Sequence, residues 1–489
     1  MQGIQVQLTD GTVVTVPASL NCLSTYVLLE QEDWFEKELP FVRTLLRPGM
    51  RALDIGASYG VYSVGMGKAV GASGRVWAFE PSHTTSRFLR HTLTSNGMTQ
   101  VTAQDYALSD RAGRGRLSTL ANSELNSLIA GPAEAGEDVR IDTLDESAAR
   151  EGIQAIDFVK LDAEGEEVRI VAGGQEFFRS EDPLVMFEVK HGKQVNSELP
   201  DAFRSAGYGI YRLIGPSTML VPVEPESTLD GFELNRFACK DGRATQLEQS
   251  GLLLRSTPPR RGGESGTGIA AVRRQPFAAA WPVATSATTP TLTQALDAYA
   301  AWRLDGSSAA RRYGALEWAF DLLDAEVARA PRVEVLSLLA RVALDTGRRS
   351  RAIQVLDALL STASRQGADI RNPTWPAAAQ YDSSAVTSSA WTWLGAAAAE
   401  ALVTAAAFSG FFGGPSMLTL IDWLQTTPYA SARMERRRQL QQLQARRTTA
   451  IQASPLLSSP GPEHRNSEFW RRAAEERATM PAGLTISVV

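Results

Sequence analysis

The sequence predicts an α/β sheet domain followed by an all-α domain. Three observations favour this division of the 489 residues. Strand-like apolar runs alternate with helical segments up to residue 255, a stretch rich in Pro, Gly, Ser and Arg follows, and only helical spacing remains beyond residue 290. Strands that alternate with helices form mostly parallel sheets covered on both faces. We therefore predict a sheet domain over residues 1–255, a linker over 256–290 and a helical domain over 291–489.

The first elements are predicted to be a hairpin and a helix. Alternating residues at 5–8 and 12–16 flank Asp10-Gly11, a pair typical of hairpin turns. Residues 27–46 carry apolar side chains at helical spacing, and Pro48-Gly49 ends this pattern. One helix is therefore expected before the first parallel strand.

The most informative sequence is RALDIGASYG, in which a strand containing Asp54 is followed by Gly56 and Gly60. A helical segment comes next, and a second apolar run at 76–79 ends at Glu80. A strand, a glycine turn, a helix and a strand that ends in an acid form half of a nucleotide-type site. Glycines let the backbone pass close to a ligand, and the terminal acid can accept both hydroxyls of a ribose.

The rest of the sheet domain is predicted from shorter apolar runs. They indicate a helix at 84–94, strands at 101–108, 155–161 and 184–187, a hairpin at 208–213 and 218–223, a strand at 237–240 and a helix at 244–254. Ligands bind at the carboxyl ends of parallel strands. Four acids that lie at or near such ends are expected on one rim: Asp54, Glu80, Asp162 and Glu188.

The glycine spacing discriminates between two kinds of ligand. A dinucleotide fingerprint needs G-x-G-x-x-G after the strand, whereas Gly56 and Gly60 have no glycine between them. The carboxylate of Asp54 also suits a cationic ligand better than a diphosphate. S-adenosylmethionine carries an ammonium and a sulfonium group and no phosphate. We therefore predict that the turn holds its amino-acid part and that Glu80 holds its ribose.

Composition limits the function classes. A net charge of -5 gives no reason to expect nucleic-acid binding. Two distant cysteines and four histidines argue against a thiolate or histidine metal site, and the cysteine count favours a reducing compartment. The first residues lack a signal-peptide pattern, so we expect a cytoplasmic protein. Residues 395–412 are mostly alanine and contain Glu400, which favours a buried helix over a membrane span.

Helical spacing in the second half is clear, but the architecture stays open. Helices are predicted at 292–304, 313–328, 333–344 and 351–364. Residues 339–359 resemble one tetratricopeptide-like hairpin, with Ala340 and Ala352 at the helix contact and Gly347 in the turn. A generic helical bundle is an equal alternative. Residues 433–447 are rich in Arg and Gln and predict a solvated or partner-facing helix, with an anionic-partner site as the alternative.

Residues 1–255 resemble the FkbM-type S-adenosylmethionine-dependent methyltransferases. The resembling pieces follow in the expected order: LDIGASYGVYS at 53–63, AFEP at 78–81, ALSD at 107–110, TLD at 143–145, IDFVKLDAEGEE at 156–167, Gly173-Gly174 and PLVMFE at 183–188. Ser58 departs from the family, which usually has asparagine there. The resemblance implies a Rossmann-like class I methyltransferase fold with a seven-stranded sheet. It also implies cofactor contacts from Asp54, Gly56, Ser58, Gly60, Glu80, Ala107 and Asp162.

Methyl transfer needs an acceptor in line with the methyl group and the removal of a proton. Lys160, Asp162 and Glu164 alternate along one strand and its end, and Glu188 ends a neighbouring strand. Asp162 and Glu188 can act as a base or orient the substrate, or they can hold Mg2+. We favour the first role and predict no metal. Lys160 and His191 are further catalytic candidates.

Several of these residues also have a structural interpretation. Lys160 can form a buried ion pair, Glu164 can start a helix, and His191 can be a solvated loop residue. His83 is expected either to touch the adenosine or to be a bystander. The loop at 122–127 (NSELNS) is expected either to bind the acceptor or only to connect elements. Tyr59 and Tyr62 either line the pocket or pack in the core.

We expect an S-adenosylmethionine-dependent methyltransferase that acts on a hydroxyl of a sugar, glycan or natural product. N-methylation of a peptide or protein side chain presented by the helical domain is an alternative, and a non-catalytic scaffold is another. The expected partner is a small-molecule, glycan or carrier-bound acceptor, with a homodimer through the helical domain as a further possibility. Neither a nucleic-acid partner nor a membrane span is expected.

Overall fold

The chain divides into two compact units. The first comprises residues 1–212, 234–246 and 439–489, and the second comprises residues 213–233 and 247–438. The computed structural model describes residues 3–118, 128–129, 136–191, 194–195, 198–215, 219–224, 228–280, 289–304, 306–366, 370 and 372–475. These limits differ from the predicted domain limits because both units are assembled from segments that are distant in sequence.

The described residues contain the following strands: β1 (Gly3–Gln7), β2 (Val13–Pro17), β3 (Arg51–Ile55), β4 (Arg75–Phe79), β5 (Val101–Gln104), β6 (Ala107–Leu108), β7 (Gly113–Ser118), β8 (Leu128–Ile129), β9 (Gly136–Asp142), β10 (Phe158–Leu161), β11 (Leu184–Glu188), β12 (Lys190–His191), β13 (Gln194–Val195), β14 (Gly209–Ile214), β15 (Met219–Pro222) and β16 (Asn235–Cys239).

The helices in the same part of the chain are α1 (Leu23–Gln31), α2 (Glu38–Leu45), α3 (Val61–Val70), α4 (His83–Ser95), α5 (Leu144–Glu151), α6 (Glu167–Ala172), α7 (Gln175–Ser180), α8 (Glu198–Ser205), α9 (Asp241–Gln249), α10 (Thr267–Arg273), α11 (Pro290–Arg303), α12 (Ala309–Arg329), α13 (Val333–Asp345), α14 (Arg349–Gln366), α15 (Ala390–Ala406), α16 (Pro415–Gln425), α17 (Ala432–Gln444) and α18 (Ser467–Glu475).

A mixed sheet has the strand order β15-β14-β16-β11-β10-β3-β4-β5. The five strands from β11 to β5 are parallel, and β16 runs antiparallel to both of its neighbours. This order confirms the predicted Rossmann-like α/β fold. The sheet has eight strands where seven were expected, because β15 of the predicted terminal hairpin also joins it. The order of the strands reverses between β3 and β10, because β4 and β5 follow on one side of β3 and β10 and β11 on the other. Ligands bind at such a switch point.

Two predicted elements near this switch point are each split in the structure. The predicted helix over residues 27–46 is two helices, α1 and α2, because Glu32 has a left-handed φ of 55° and its N–H donates to the Leu28 carbonyl. The predicted strand over residues 101–108 is β5 and β6, and β6 pairs with β9 in a separate four-stranded sheet. The first split creates a loop over residues 32–37, and this loop reaches the candidate site.

The predicted linker is partly packed within the second unit. Val272 of α10 and Phe277 are fully buried. Asp297 of α11 accepts hydrogen bonds from the N–H groups of Gly266 and Gly268, at 3.1 and 2.7 Å. A Cβ atom on Gly268 would lie 2.2 Å from the Leu296 carbonyl carbon. The glycines of this segment therefore allow its backbone to lie close to α11, whereas its composition had predicted little burial.

Helices dominate the described part of the second unit, and α11 to α16 agree with the helical spacing beyond residue 290. Helices α13 and α14 form a hairpin with Ala340 and Ala352 buried and with Gly347 at a φ of 77°; the tetratricopeptide-like assignment stays a prediction. Among the described residues, no helix is both long enough and apolar enough to cross a membrane. The prediction that the Arg-rich helix is solvated or partner-facing is wrong for Arg436 and Arg437 of α17, which are fully buried.

The first unit is completed by residues from the end of the chain. The buried carboxylate of Glu32 lies 3.1 Å from His464 Nδ1 and accepts a hydrogen bond from the Asn466 N–H at 3.0 Å. The Asn466 side-chain amide bonds the N–H and the carbonyl of Gln7, both at 2.9 Å. Trp470 of α18 is 1% exposed. The left-handed residue that ends α1 is thus bound by residues more than 430 positions away.

We expect Trp470→Ala to destabilise the first unit by about 3 kcal/mol, because removal of a buried aromatic side chain leaves a cavity. Thermal unfolding followed by circular dichroism measures the loss. Trp423→Ala is the matched control, since Trp423 is 37% exposed and lies in the second unit. Equal melting temperatures for the unmodified chain and the Trp470 variant would contradict this packing.

Candidate active site

The turn between β3 and α3 contains three residues with positive φ angles. Gly56 has a φ of 80° and Gly60 a φ of 90°, and Ser58 lies between them at 48°. A Cβ atom on Gly56 would lie 1.7 Å from the carbonyl oxygen of Asp162. Glycine is therefore required at position 56 both for its positive φ and because the end of β10 contacts the turn.

Glu80 connects this turn to the end of β4. One carboxylate oxygen accepts a hydrogen bond from the Ser58 N–H at 3.0 Å, and the other accepts one from the Ser82 N–H at 2.9 Å. The side chain is nearly buried. Burial raises the pKa of Glu80 to about 7, although both N–H groups act in the opposite direction. The predicted ribose-binding acid is therefore fixed in position at the predicted strand end.

Lys160 is the cation at the centre of a buried network. Its Nζ donates to the Gly56 carbonyl at 3.0 Å and lies 3.0 Å from Asp162 Oδ2 and 3.7 Å from Asp54 Oδ1. Burial by itself lowers the pKa of Lys160, but the carboxylates of Asp162, Asp54 and Glu36 raise it overall. Lys160 is therefore a buried ammonium ion, which agrees with the ion-pair interpretation and leaves no basic nitrogen for catalysis.

Asp54 is completely buried at the end of β3. Its Oδ2 accepts a hydrogen bond from Ser63 Oγ at 2.6 Å, while Oδ1 has no hydrogen-bond partner. Burial raises the pKa of Asp54 above its usual range, against the opposing charge of Lys160. The buried Oγ of Ser58 likewise has no partner. Asp54 Oδ1, which lies 3.7 Å from Lys160 Nζ, and Ser58 Oγ accept no hydrogen bond, so both can still accept one from a ligand that carries an ammonium group.

Further carboxylates surround the end of β10. Ligand oxygens of Asp162, Glu167 and Glu188 all lie within 4.8 Å of one another. Glu167 Oε1 accepts the N–H groups of Ala163 and Gly165 at 2.9 and 3.1 Å, so Glu167 rather than Glu164 organises the start of α6. Burial and the neighbouring carboxylates raise the pKa of Glu188 to about 10.

These three carboxylates have ligand types that suit Mg2+. Two of them already have partners, because Asp162 pairs with Lys160 and Glu167 binds backbone N–H groups. We therefore keep the prediction that the acids act by hydrogen bonding and proton transfer, with no resident metal.

Glu36 was not among the site residues predicted from the sequence, yet its side chain belongs to the network of charged groups around Lys160. The Tyr62 hydroxyl donates to Glu36 Oε2 at 2.6 Å, and the Tyr62 ring centroid lies 5.4 Å from Lys160 Nζ. Burial, with smaller contributions from the charges of Glu38 and Asp162, raises the pKa of Glu36 to about 7. The residue was missed because the loop that carries it was predicted as helix. The cluster of acidic and aromatic residues at 32–38 was the available signal.

The remaining sequence candidates lie at different places. Ala107 is buried in β6 beside Leu117 and Val139, and its cofactor contact stays a prediction. His83 is exposed, and its backbone N–H donates a hydrogen bond to the Glu137 carboxylate. Tyr59 packs edge-to-face on Phe88 at 5.7 Å.

Two further candidates fall in regions that the structure does not describe. The loop at 122–127 lies outside the described residues, and so does the side chain of His191 at the end of β12. Their roles stay predictions.

Comparisons with known proteins find similar solved structures and one matching family model. Solved structures that resemble this chain include a methyltransferase FkbM from Methylobacillus flagellatus KT, with 17% identity, 42% of this chain and 50% of that chain covered and a TM-score of 0.28. A S-adenosylmethionine-dependent O-methyltransferase from Thermotoga maritima shows 16% identity, 42% and 64% coverage and a TM-score of 0.26. A S-adenosylmethionine-dependent methyltransferase from Aquifex aeolicus shows 15% identity, 45% and 94% coverage and a TM-score of 0.25.

The chain thus spans 50% and 64% of the lengths of the first two of these proteins. A search of curated protein sequences finds no match. The family model described as "Methyltransferase FkbM domain" matches residues 54–210, a range that begins at Asp54 and includes Glu80, Lys160, Asp162 and Glu188.

Proposed function

We propose that this protein is a S-adenosylmethionine-dependent methyltransferase that acts on a hydroxyl group of a glycan or natural product. The observation that carries the proposal is the glycine turn, with Glu80 bound to its backbone and, beside it, oxygens of Asp54 and Ser58 that accept no hydrogen bond. S-adenosylmethionine supplies, when bound, a methyl group on a positively charged sulfur. Its positive charges match the acids, whereas a diphosphate would meet them unfavourably.

Each residue of the turn has a separate task in this proposal. Asp54 and the backbone from Gly56 to Gly60 bind the amino-acid part of the cofactor, and Glu80 accepts the ribose hydroxyls. Lys160 holds Asp162 at the end of β10, beside the position of the reacting groups. The acids around it can accept a hydrogen bond from the hydroxyl that is to be methylated.

We expect Glu80→Gln to weaken S-adenosylmethionine binding roughly tenfold to a hundredfold, because an amide cannot accept hydrogen bonds at both of its ends. Isothermal titration calorimetry measures the dissociation constant. Glu146→Gln is the matched control, since Glu146 is exposed on α5. Unchanged affinity in the Glu80 variant, with a folded protein by circular dichroism, would count against the proposed cofactor site.

The affinity for S-adenosylmethionine is expected to increase as the pH rises from about 6 to about 8. The pKa of Glu80 is raised to about 7, so a proton occupies the carboxyl group below that pH and competes with the ribose hydroxyls. Above it the ionised carboxylate accepts both, and the affinity levels off. Calorimetry over this pH range measures the effect. The Glu80→Gln variant should lose this part of the pH dependence, and an identical profile in both proteins would refute the assignment.

The proposed activity is tested by methyl transfer from methyl-labelled S-adenosylmethionine to glycan, peptide and cell-extract fractions. We expect label in the glycan or small-molecule fraction, on an oxygen atom, because carboxylates are suited to remove a hydroxyl proton. Mass spectrometry of the labelled product locates the methyl group. Label on a nitrogen atom would replace the proposed reaction with N-methylation, and binding without transfer would favour a non-catalytic scaffold.

A further inference from the structure

The loop between α1 and α2 brings a further acidic side chain to the candidate site. It carries Glu36, whose Oε2 receives the hydrogen bond from Tyr62 while the Tyr62 ring lies against Lys160. We propose that Glu36 is the catalytic base, which takes the proton from the acceptor hydroxyl during methyl transfer. This inference rests on the proposed function and goes beyond it by assigning the proton acceptor to a residue outside residues 54–210.

The other candidate bases in this network are already engaged. Lys160 is an ammonium ion bound by the Gly56 carbonyl and Asp162, so Asp162 has a cation at 3.0 Å. Glu80 and Glu167 each hold two backbone N–H groups. Their hydrogen bonds keep the turn and the start of α6 in place, and the proposed function already assigns Glu80 to the ribose hydroxyls.

Glu188 differs from Glu36 in its protonation. The pKa of Glu188 is raised to about 10, so its carboxyl group is protonated at neutral pH. The pKa of Glu36 is raised to about 7, which is the range in which a general base is both ionised and basic enough to act. Burial and nearby carboxylates raise the pKa of both acids, but the hydrogen bond from Tyr62 and the charge of Lys160 act in the opposite direction on Glu36.

Glu36 is also positioned for contact with an acceptor. Tyr62 fixes one carboxylate oxygen, and the Leu39 N–H donates to the Glu36 carbonyl at 3.3 Å, which anchors the residue at the start of α2. The side chain stays partly exposed. Trp34 and Phe35 precede it with their ring centroids 4.7 Å apart, and both are partly exposed. An apolar surface next to a carboxylate suits the ring of a sugar or of an aromatic natural product.

The proposed step balances in atoms and charge. The acceptor oxygen forms a bond to the methyl carbon while the carbon–sulfur bond breaks, and the electron pair of that bond stays on sulfur. The proton of the acceptor hydroxyl moves to the Glu36 carboxylate. Tyr62 keeps its own proton, because burial and the neighbouring acids raise the pKa of its hydroxyl well above the usual range. Tyr62 is therefore a positioning residue that holds Glu36.

The test compares Glu36→Gln, Glu36→Ala and Tyr62→Phe with the unmodified full chain. Methyl-labelled S-adenosylmethionine and the glycan and small-molecule fractions of a cell extract are the probes. We expect Glu36→Gln to slow methyl transfer about a hundredfold or more. Its dissociation constant for S-adenosylmethionine should stay within about twofold of the unmodified value, since the residue lies outside the proposed cofactor contacts. The control Glu198→Gln alters an exposed acid on α8 and should leave both quantities unchanged.

Two further readouts separate proton transfer from a structural role. Formate should restore part of the activity of Glu36→Ala, because it supplies the missing carboxylate. The rate for the unmodified chain should rise with pH through about 7, and Glu36→Gln should lose this rise. Tyr62→Phe should shift the pH profile and slow transfer roughly tenfold, which keeps the proposal testable if a Glu36 variant does not fold.

The outcomes distinguish this inference from the proposed function. Slow transfer with intact cofactor binding and formate rescue supports Glu36 as the base. Transfer by Glu36→Gln within about threefold of the unmodified rate, or by Tyr62→Phe with an unaltered pH profile, overturns the assignment and leaves the methyltransferase function intact. Cofactor binding without label transfer by the unmodified chain overturns the proposed function, and the role of Glu36 falls with it.

Discussion

The ion pair between Lys160 and Asp162 is the interaction on which the candidate site depends. Lys160 Nζ reaches three elements at once, because it contacts Asp54 on β3, the Gly56 carbonyl in the glycine turn and Asp162 after β10. A charge in a nearly dry environment is strongly unfavourable unless it is paired. The sheet can bury this ammonium only if all three partners are in place, so the turn geometry and the rim of acids form together.

The end of β10 also restricts the conformation of the glycine turn. Asp162 contributes its carbonyl as well as its carboxylate, and the carbonyl occupies the space that a side chain at position 56 would need. The Rossmann-like turn is thus shaped by the strand beside it and not only by its own sequence. Since Glu80 accepts the N–H of Ser58, the end of β4 adds a third restraint. A cofactor would meet a turn that is already organised.

Local patterns in the sequence predicted most of this arrangement. Strand and helix periodicity, the spacing of Gly56 and Gly60 and the acids at strand ends depend on neighbouring residues, so they can be recognised without coordinates. Whether Lys160 was a base or an ion pair depended on distances between strands. The left-handed break at Glu32 depended on partners near residue 464, and that break is what carries Glu36 to the site. Such non-local causes leave no periodic signal.

The different protonation of the acids resolves a conflict within the proposed reaction. A rim of fully ionised carboxylates would bind a cationic methyl donor well, but it would stabilise the starting charge more than the transition state, where that charge is dispersing. A protonated Glu188, with its pKa near 10, removes one negative charge from the rim. Lys160 offsets another at Asp162. In the proposed step the transferred proton neutralises the charge on Glu36, so the negative field at the site weakens as the donor loses its own charge.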